Sequence, residues 1–493
     1  MDCFVDVSGL ANGVASTATG GLVALLLVSW LMYRLAFASM SRLPGPWYTN
    51  LTGLVLIYHE YGGNKRLWIH GLHLRYGPVV RVAPREASFG SATAMRDIYV
   101  TGGGLAKTEL YTLFEQGGKR NLFTALDKDE HKEKKKRFAD RYSNTSVLRQ
   151  PMLNLISERA DVFVQQCTKT ASADVYCYLH CYALDCVTAV CFDPHGTRSL
   201  EGGADGQMVQ KLSYHDSRRT LVLQHYFPRL AALHARLSRA SLKTGSRISE
   251  YAWGCMRQRD LSAITLGSRL QTYGDDELAM SEKVAECLDH IGAGIDTTGD
   301  TLCFLMHELS RPHNAARMAR MTAELQAARG EHEKTDRNSS LHTLPYLDAV
   351  ISEALRLWAP GTLPLPRYVP AGGCTVDGYQ LPGGTVVSSQ SFTLHRLHDD
   401  VFPEPDVFLP ERWLAADGAA ARNRHMFAFS AGPRMCIGKN VAMVEMRALL
   451  HAVYSRYRTT LADDMHYSMD MADQLLTSRP RDMCCKLAFQ PLE

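Results

Sequence analysis

The sequence predicts a mainly α-helical fold with small β-sheets, arranged as one large domain behind an N-terminal transmembrane helix. Three observations carry that prediction. Residues 131–168, 174–192, 205–256 and 281–312 repeat apolar side chains at three- and four-residue spacing with few internal prolines, the pattern of packed amphipathic helices. Short Val- and Leu-rich runs broken by Gly and Pro, over Trp68–Val100, near Gly361–Val387 and towards the C-terminus, read as small strands. A chain of 493 residues with 46% hydrophobic content can bury a large core. Length alone would admit two or three domains. The sequence shows no repeat and no low-complexity segment, and the polar stretch Arg329–Ser340 reads as an exposed loop between periodic helices.

From the N-terminus, residues 1–19 form a short lead. Gly20–Met40 (GGLVALLLVSWLMYRLAFASM) has one charge in about 20 residues, enough for a helix to cross a hydrocarbon core. No Lys or Arg precedes it, whereas Arg34 and Arg42 lie at its C-terminal end, so the positive-inside bias leaves residues 1–19 lumenal and the bulk cytosolic. A cleaved signal peptide is the rival reading, but a basic n-region and a clear small-residue cleavage site are missing. Residues 41–50 contain Leu43-Pro44-Gly45-Pro46-Trp47, a stiff, non-helical hinge. Residues 51–493 then form the main domain.

Lys and Arg (54) nearly balance Asp and Glu (51), so bulk charge offers no basis for nucleic-acid binding. Thirteen cysteines are an odd number and too sparse for a secreted disulfide scaffold. Cys177, Cys181, Cys186 and Cys191 crowd one segment with His180, which invites a zinc reading. Their setting among Tyr, Leu, Ala and Val in a helical pattern favours free thiols packed as small hydrophobes.

Three stretches could carry chemistry. His290–Thr301 (HIGAGIDTTGDT) puts Gly292, Gly294 and Gly299 in a helical pattern, each at about 1 kcal/mol relative to Ala. Close approach of a ligand would explain them, and so would a tight helix crossing. Thr297 and Thr298 can bond back to the carbonyl four residues earlier and bend the helix beside the acid Asp296. Glu353 and Arg356 lie three apart on one helix face, and Arg412 could add a second guanidinium. In Phe429–Asn440 (FSAGPRMCIGKN), Gly432 and Gly438 let the backbone turn about Cys436. The helix-like run from Lys439 aims its amides at the sulfur, and with Arg434 this favours thiolate. Such a thiolate suits a soft metal or haem iron better than a nucleophilic role, the alternative being an ordinary cysteine in a turn.

Taken in order, Ala293-Gly294-Ile295-Asp296-Thr297-Thr298, Glu353-Ala354-Leu355-Arg356, Phe408–Trp413 (FLPERW) and Phe429–Gly438 (FSAGPRMCIG) resemble the four signatures of cytochromes P-450, in the style of membrane-bound enzymes of filamentous fungi. The resemblance implies the cytochrome P-450 fold, a single catalytic domain holding haem b (iron protoporphyrin IX) between the Ala293–Thr298 helix and the cysteine loop. Cys436 matches the axial thiolate, which pushes electron density on to iron and favours O–O cleavage. Arg434 matches a residue that pairs a haem propionate, and Phe429 an aromatic that shields the sulfur. Asp296 and Thr297 match the acid and hydroxyl that deliver protons to dioxygen, and the neighbouring glycines would make room over the iron. Glu353, Arg356 and Arg412 resemble a buried structural triad.

Where many relatives have Trp and, four residues later, Arg, this chain has His131 and Lys135. Lysine lacks the guanidinium fork, so a bidentate propionate grip is lost there. Arg367 resembles the other propionate-binding arginine. The resemblance further implies a monooxygenase of the endoplasmic reticulum membrane. Electrons would come from NADPH through a reductase, with cytochrome b5 as a further candidate donor, steered by the basic run Lys132–Arg137. The expected substrate is an apolar fungal secondary metabolite (polyketide, terpenoid or alkaloid). It would touch residues about Tyr111–Phe123, Val209–Leu233, the helix before Gly294, and Gly361–Leu365. A haem-thiolate isomerase or dehydratase that needs no external electrons, and a non-catalytic haem-binding protein, are the alternatives.

Overall fold

A computed structural model of the chain describes residues 19–32, 40, 42–214, 216–238, 246–332 and 344–492. Helices dominate it. In chain order they include α1 (Leu54–Gly62), α2 (Lys65–Tyr76), α3 (Ala92–Tyr99), α4 (Lys128–Lys136), α5 (Gln150–Cys167), α6 (Val175–Phe192), α7 (Gly203–Ser213), α8 (Arg218–Tyr226), α9 (Pro228–Ser238), α10 (Ser246–Met256), α11 (Leu266–Gln271), α12 (Met280–Leu309), α13 (Ala315–His332), α14 (Pro345–Leu357) and α15 (Lys439–Tyr454). Strands β1 (Val79–Ala83), β2 (Glu86–Phe89), β3 (Ala106–Lys107), β4 (Ala173–Asp174), β5 (Arg367–Tyr368), β6 (Cys374–Val376), β7 (Tyr379–Leu381), β8 (Val386–Ser388), β9 (Tyr457–Leu461), β10 (Met471–Asp473), β11 (Ser478–Pro480) and β12 (Lys486–Pro491) form small sheets.

The largest sheet has the order β1-β2-β8-β5-β3. Its last pairing sets Lys107 opposite Arg367, which places two cations side by side. The helical core is built around α6, whose apolar length is 89% buried. The 30-residue α12 packs along α6 more extensively than any other pair of elements. Two glycines allow that approach: a β-carbon at 294 would lie 2.8 Å from Val187 Cγ2, and one at 299 would lie 3.0 Å from the His180 ring. Gly294 and Gly299 thus serve the tight helix crossing, the second of the two readings of this stretch. The helix runs unbroken through them.

Several predicted boundaries move. The stretch 68–100 is less β-rich than its composition suggests, because Trp68–Tyr76 belongs to α2 and residues 92–99 form α3. Helix α2 buries Ile69, Leu72 and His73 at helical spacing, and α3 is capped by Ser91 Oγ, which accepts the Ala94 N–H. The predicted 131–168 helix breaks between α4 and α5, where Ser143 caps a short turn of helix and Pro151 opens α5. The 205–256 segment divides into α7, α8, α9 and α10, with Pro228 opening α9.

Of the expected transmembrane span, Thr19–Met32 is an exposed apolar helix, shorter than a membrane crossing requires. The remainder, apart from Met40, lies outside the described residues, as do residues 333–340 of the expected loop. Among described helices only α6 is long and apolar enough to span a bilayer, and it is a core helix. The proline hinge is tied down by Arg81, itself only 2% exposed. Its guanidinium donates to the carbonyls of Met40 (2.9 Å), Leu43 (2.9 Å) and Pro46 (3.3 Å).

Candidate active site

A cavity of about 320 Å³ opens between α12, the Cys436 loop, β3, β5 and the loop around Tyr111–Phe123. Cys436 Sγ faces it. The loop closes on itself through the Cys436 N–H, which donates to the Phe429 carbonyl (2.9 Å). Gly432 sits at φ +71°, and a β-carbon there would collide with the Tyr99 carbonyl oxygen, so only glycine fits. Gly438 differs: its φ is −77°, and a β-carbon would meet Cys436 Sγ at an ordinary 3.9 Å. Its contribution is its amide, which with that of Lys439 is directed at the sulfur where α15 begins. Burial nevertheless pushes the Cys436 thiol up, and the two amides, Lys439 and Lys135 only partly offset it. The two amides and the two lysines favour thiolate while burial opposes it, and a bound cation would add to what holds the sulfur anionic.

Arg434 does not supply that charge. Its guanidinium turns the other way and donates to the carbonyls of Ala125, Leu126 and Asp127, each at 2.7 Å. It shares one end of the cavity with Arg367, His131 and a residue that sequence reasoning missed, Lys107. Arg367 donates to Tyr111 Oη (2.5 Å) and the Pro366 carbonyl (2.8 Å), and Lys107 donates to the Phe123 carbonyl. None of these bonds goes to a carboxylate. Burial and neighbouring cations lower Lys107 well below its usual range, Arg434 to about 10 and His131 to about 3. Four basic groups crowded at an apolar cavity fit an anionic ligand that would relieve their repulsion. The strand pairing that brings Lys107 beside Arg367 spans over 250 positions of sequence, which is why no local pattern shows it.

Lys135 is not on the cavity wall. It reaches the cysteine loop from outside and donates to the Pro433 carbonyl at 2.7 Å, while His131, one turn earlier on α4, lines the cavity. On α12, Ala293, Gly294 and Thr297 line the cavity, and Thr297 Oγ1 donates to the Ala293 carbonyl (2.7 Å). Thr298 does not back-bond as expected; its hydroxyl donates to Glu445 Oε2 at 3.0 Å. Asp296 points away from the cavity into the seam with α6 and α7, where Ser213 Oγ donates to its Oδ1 at 2.6 Å.

Behind the cysteine loop, Glu353 and Arg356 are fully buried. Glu353 accepts two bonds from Arg356 (2.8 and 2.9 Å), one from Arg412 (3.1 Å), one from the Leu409 N–H (3.0 Å) and one from Trp413 Nε1 (2.9 Å). His395 extends this lock to the loop: its Nδ1–H donates to the Arg356 carbonyl (2.8 Å), and its Nε2 accepts the Phe427 N–H (2.9 Å). Trp413 closes the FLPERW motif, whose spacing does not announce its bond to Glu353, and no local pattern marks His395.

Of the expected substrate-contacting segments, Tyr111, Leu122, Phe123, Gly361 and Leu365 line the cavity. No described residue of the segment about Val209–Leu233 does; Val222 instead packs behind the wall against Leu110 and Tyr111. Leu476 and Thr477, at the tip of the β10–β11 hairpin, complete the lining and carry no sequence signal of their own.

Residues 43–485 match the family described as Cytochrome P450. Similar curated proteins include cytochrome P450 monooxygenase orf2 of Aspergillus niger, 30% identical over 440 residues covering 87% of this chain and 88% of that protein. Cytochrome P450 monooxygenase stcB of Emericella nidulans is 27% identical over 483 residues, covering 92% and 89%. Benzoate 4-monooxygenase bphA of Aspergillus niger is 26% identical over 472 residues, covering 88% and 90%.

Proposed function

The chain belongs to the cytochrome P450 family, whose cofactor is haem, and on that premise we propose that Cys436 is the axial ligand of the haem iron in a membrane-anchored enzyme acting on an apolar small molecule. The protein is a monooxygenase, an oxidoreductase that incorporates oxygen from O2. The observation that carries the ligand assignment is the pairing of a cavity-facing sulfur, met by two backbone amides, with an end of the same cavity crowded by Lys107, His131, Arg367 and Arg434. Haem would take its thiolate from the first and set its carboxylates against the second.

When bound, haem supplies the activation of dioxygen. The chain's own residues then have separable tasks. Thr297 has its hydroxyl hydrogen committed to the Ala293 carbonyl, so its oxygen offers lone pairs to the cavity as an acceptor. Asp296, next to it in the chain and partly open to solvent, is the acid that passes protons inwards. Phe429, Leu122, Phe123 and Leu365 keep water from the apolar wall and orient the substrate. A fungal secondary metabolite of polyketide, terpenoid or alkaloid type suits such a lining. Electrons would come from NADPH through a reductase docking near Lys132, Lys135 and Lys439, with residues 20–40 anchoring the protein to the endoplasmic reticulum membrane.

The test is the carbon-monoxide difference spectrum of the reduced protein. It should show the red-shifted band of thiolate ligation, and Cys436→Ser should abolish it. A mutant that kept the band would overturn the ligand assignment. Turnover that continued without NADPH would overturn the electron supply.

A further inference from the structure

Helix α6 sends one histidine into its seam with α12. His180 is fully buried, its ring lies against Tyr176 with ring centroids 4.1 Å apart, and the missing side chain of Gly299 makes the room it occupies. Its Nδ1 is 2.7 Å from the Tyr176 carbonyl, so that nitrogen carries a hydrogen and donates it. Among the described residues the other nitrogen faces two acids: Nε2 lies 3.4 Å from Asp300 Oδ1 and 3.8 Å from Asp296 Oδ1. Neither Nε2 nor Asp300 Oδ1 completes a well-formed hydrogen bond among the described residues.

A bare lone pair on the buried Nε2 would oppose the buried Asp300 oxygen and, more weakly, that of the half-exposed Asp296, which is unfavourable. One proton, on Nε2 or on Asp300, turns that repulsion into attraction. Burial alone would lower His180, but Asp300 and Asp296 outweigh it and hold the imidazole above its usual range. Burial raises Asp300 to about 6 against the pull of His180. Among the described residues, the other groups that act on the pair are Tyr176 and Cys177 on α6, Ser213 on α7, Cys303 further along α12, and Arg479 on β11, whose guanidinium donates to the Ser213 carbonyl at 2.8 Å.

We infer that His180 and Asp300 share one proton that positions the Asp296 carboxylate, making His180 a positioning residue behind the acid next to Thr297. The inference rests on the role given to Asp296 above. With the proton on Nε2, the Ser213 hydroxyl donates to Asp296 Oδ1 and the imidazolium attracts the same oxygen across 3.8 Å, and the second oxygen is left to exchange protons. When the proton leaves to bulk water, the Asp296–His180–Asp300 group goes from one net negative charge to two. Asp296, repelled by Asp300, then swings outwards.

Two readouts on the holoenzyme test this. In nitrogen-15 histidine spectra of the reduced carbon-monoxide complex, the His180 signal should titrate above the ordinary imidazole midpoint of about 6.5, and Asp300→Asn should move that midpoint down by at least about half a pH unit. A His180 signal indifferent to pH and to Asp300→Asn would overturn the inference. The second readout is the share of NADPH electrons released as hydrogen peroxide, with reductase and no added substrate. In wild type that share should rise as pH climbs through the His180 midpoint. In His180→Gln it should be at least twofold higher at low pH, with the step gone; a step identical to wild type would overturn the inference. Should His180→Gln fail to fold, as judged by loss of the carbonyl band, Asp300→Asn in the intact histidine background still reads the shift. The titration needs no turnover, so a coupled titration in a protein without monooxygenase activity would sink the functional reading alone, and a flat titration in an active enzyme this inference alone.

Discussion

His395 shows how one neutral side chain can join two parts of a site. Its Nδ1–H goes to the Arg356 carbonyl and its Nε2 takes the Phe427 N–H, so the ring bridges the Glu353 lock to the start of the cysteine loop only while it is unprotonated. Burial pushes it down to about 3, against an unfolded value near 6.5. Between those values the unfolded chain binds the extra proton, so this contribution to stability is complete above pH ~6.5 and is lost as pH falls towards 3. His395→Gln should therefore flatten part of the acid limb of a stability-against-pH curve measured by denaturant unfolding; an unchanged limb would refute the assignment. At Thr297 the expectation is chemical: Thr297→Ser should keep product coupled to NADPH consumption, whereas Thr297→Val, which keeps the shape but loses the oxygen, should release peroxide instead. Equal coupling in both would exclude an acceptor role. Single residues differed in how far sequence alone showed them. Cys436, Glu353, Arg356 and Thr297 sit in short motifs whose spacing carries their meaning. Lys107 and His395 depend on partners reached only through tertiary structure, 260 and 39 positions away along the chain.

Element boundaries were less legible than element types, for physical reasons that particular segments display. The twelve residues of helix α2 mix basic and apolar side chains without a visible helical period, and the burial of Ile69, Leu72 and His73 on one face is what shows it. The 205–256 segment keeps helical composition across its breaks, and of these Pro228, at the start of α9, is one that residue type marks. The glycines of helix α12 admit two readings: the van der Waals limit at Val187 and His180 supports the helix crossing, and Gly294 also lines the cavity. Between elements, Glu353 is a junction: α14 holds it, and two arginines, one indole and one backbone amide converge on it from the 353–413 region. Replacing one partner of such a buried charged network leaves the others uncompensated at about 3–5 kcal/mol. Glu353→Gln keeps the volume and removes the charge, so it should lower unfolding stability on that order and reduce the yield of protein showing the carbonyl band. Arg317, which binds Glu411 in a partly exposed pair, is the contrast: Arg317→Gln should cost within about 1 kcal/mol. A Glu353→Gln loss no larger than that of Arg317→Gln would remove the case for a lock.

At the scale of the whole molecule, the helical mass, the small sheets and the family were legible, because four motifs in order over the chain constrain one another. The cavity's shape was not, since its lining comes from segments as distant as Lys107, Gly361 and Leu476. The junction between the N-terminal segment and the domain combines both cases: the prolines marked a stiff exit, while the buried Arg81 that receives it lies on a strand 35 or more positions away. That junction gives a test separating anchor from fold. Met40 is 1% exposed, and its carbonyl, with those of Leu43 and Pro46, satisfies the Arg81 guanidinium. A chain beginning at Ala38 keeps all three acceptors and loses only the apolar lead. It should retain the carbonyl band and the unfolding midpoint of the full chain, while the share sedimenting with membranes falls. The fall should be incomplete, because Trp47, Leu54 and Tyr58 remain exposed near the exit. A chain beginning at Trp47 loses the three carbonyls together, each an acceptor for a buried permanent charge whose loss costs about 1–3 kcal/mol. Its midpoint should drop sharply. If the two truncations were equally stable, Arg81 would not be the clamp that joins the N-terminal segment to the sheet; if the Ala38 chain sedimented like the full one, residues before Met40 would not be the anchor.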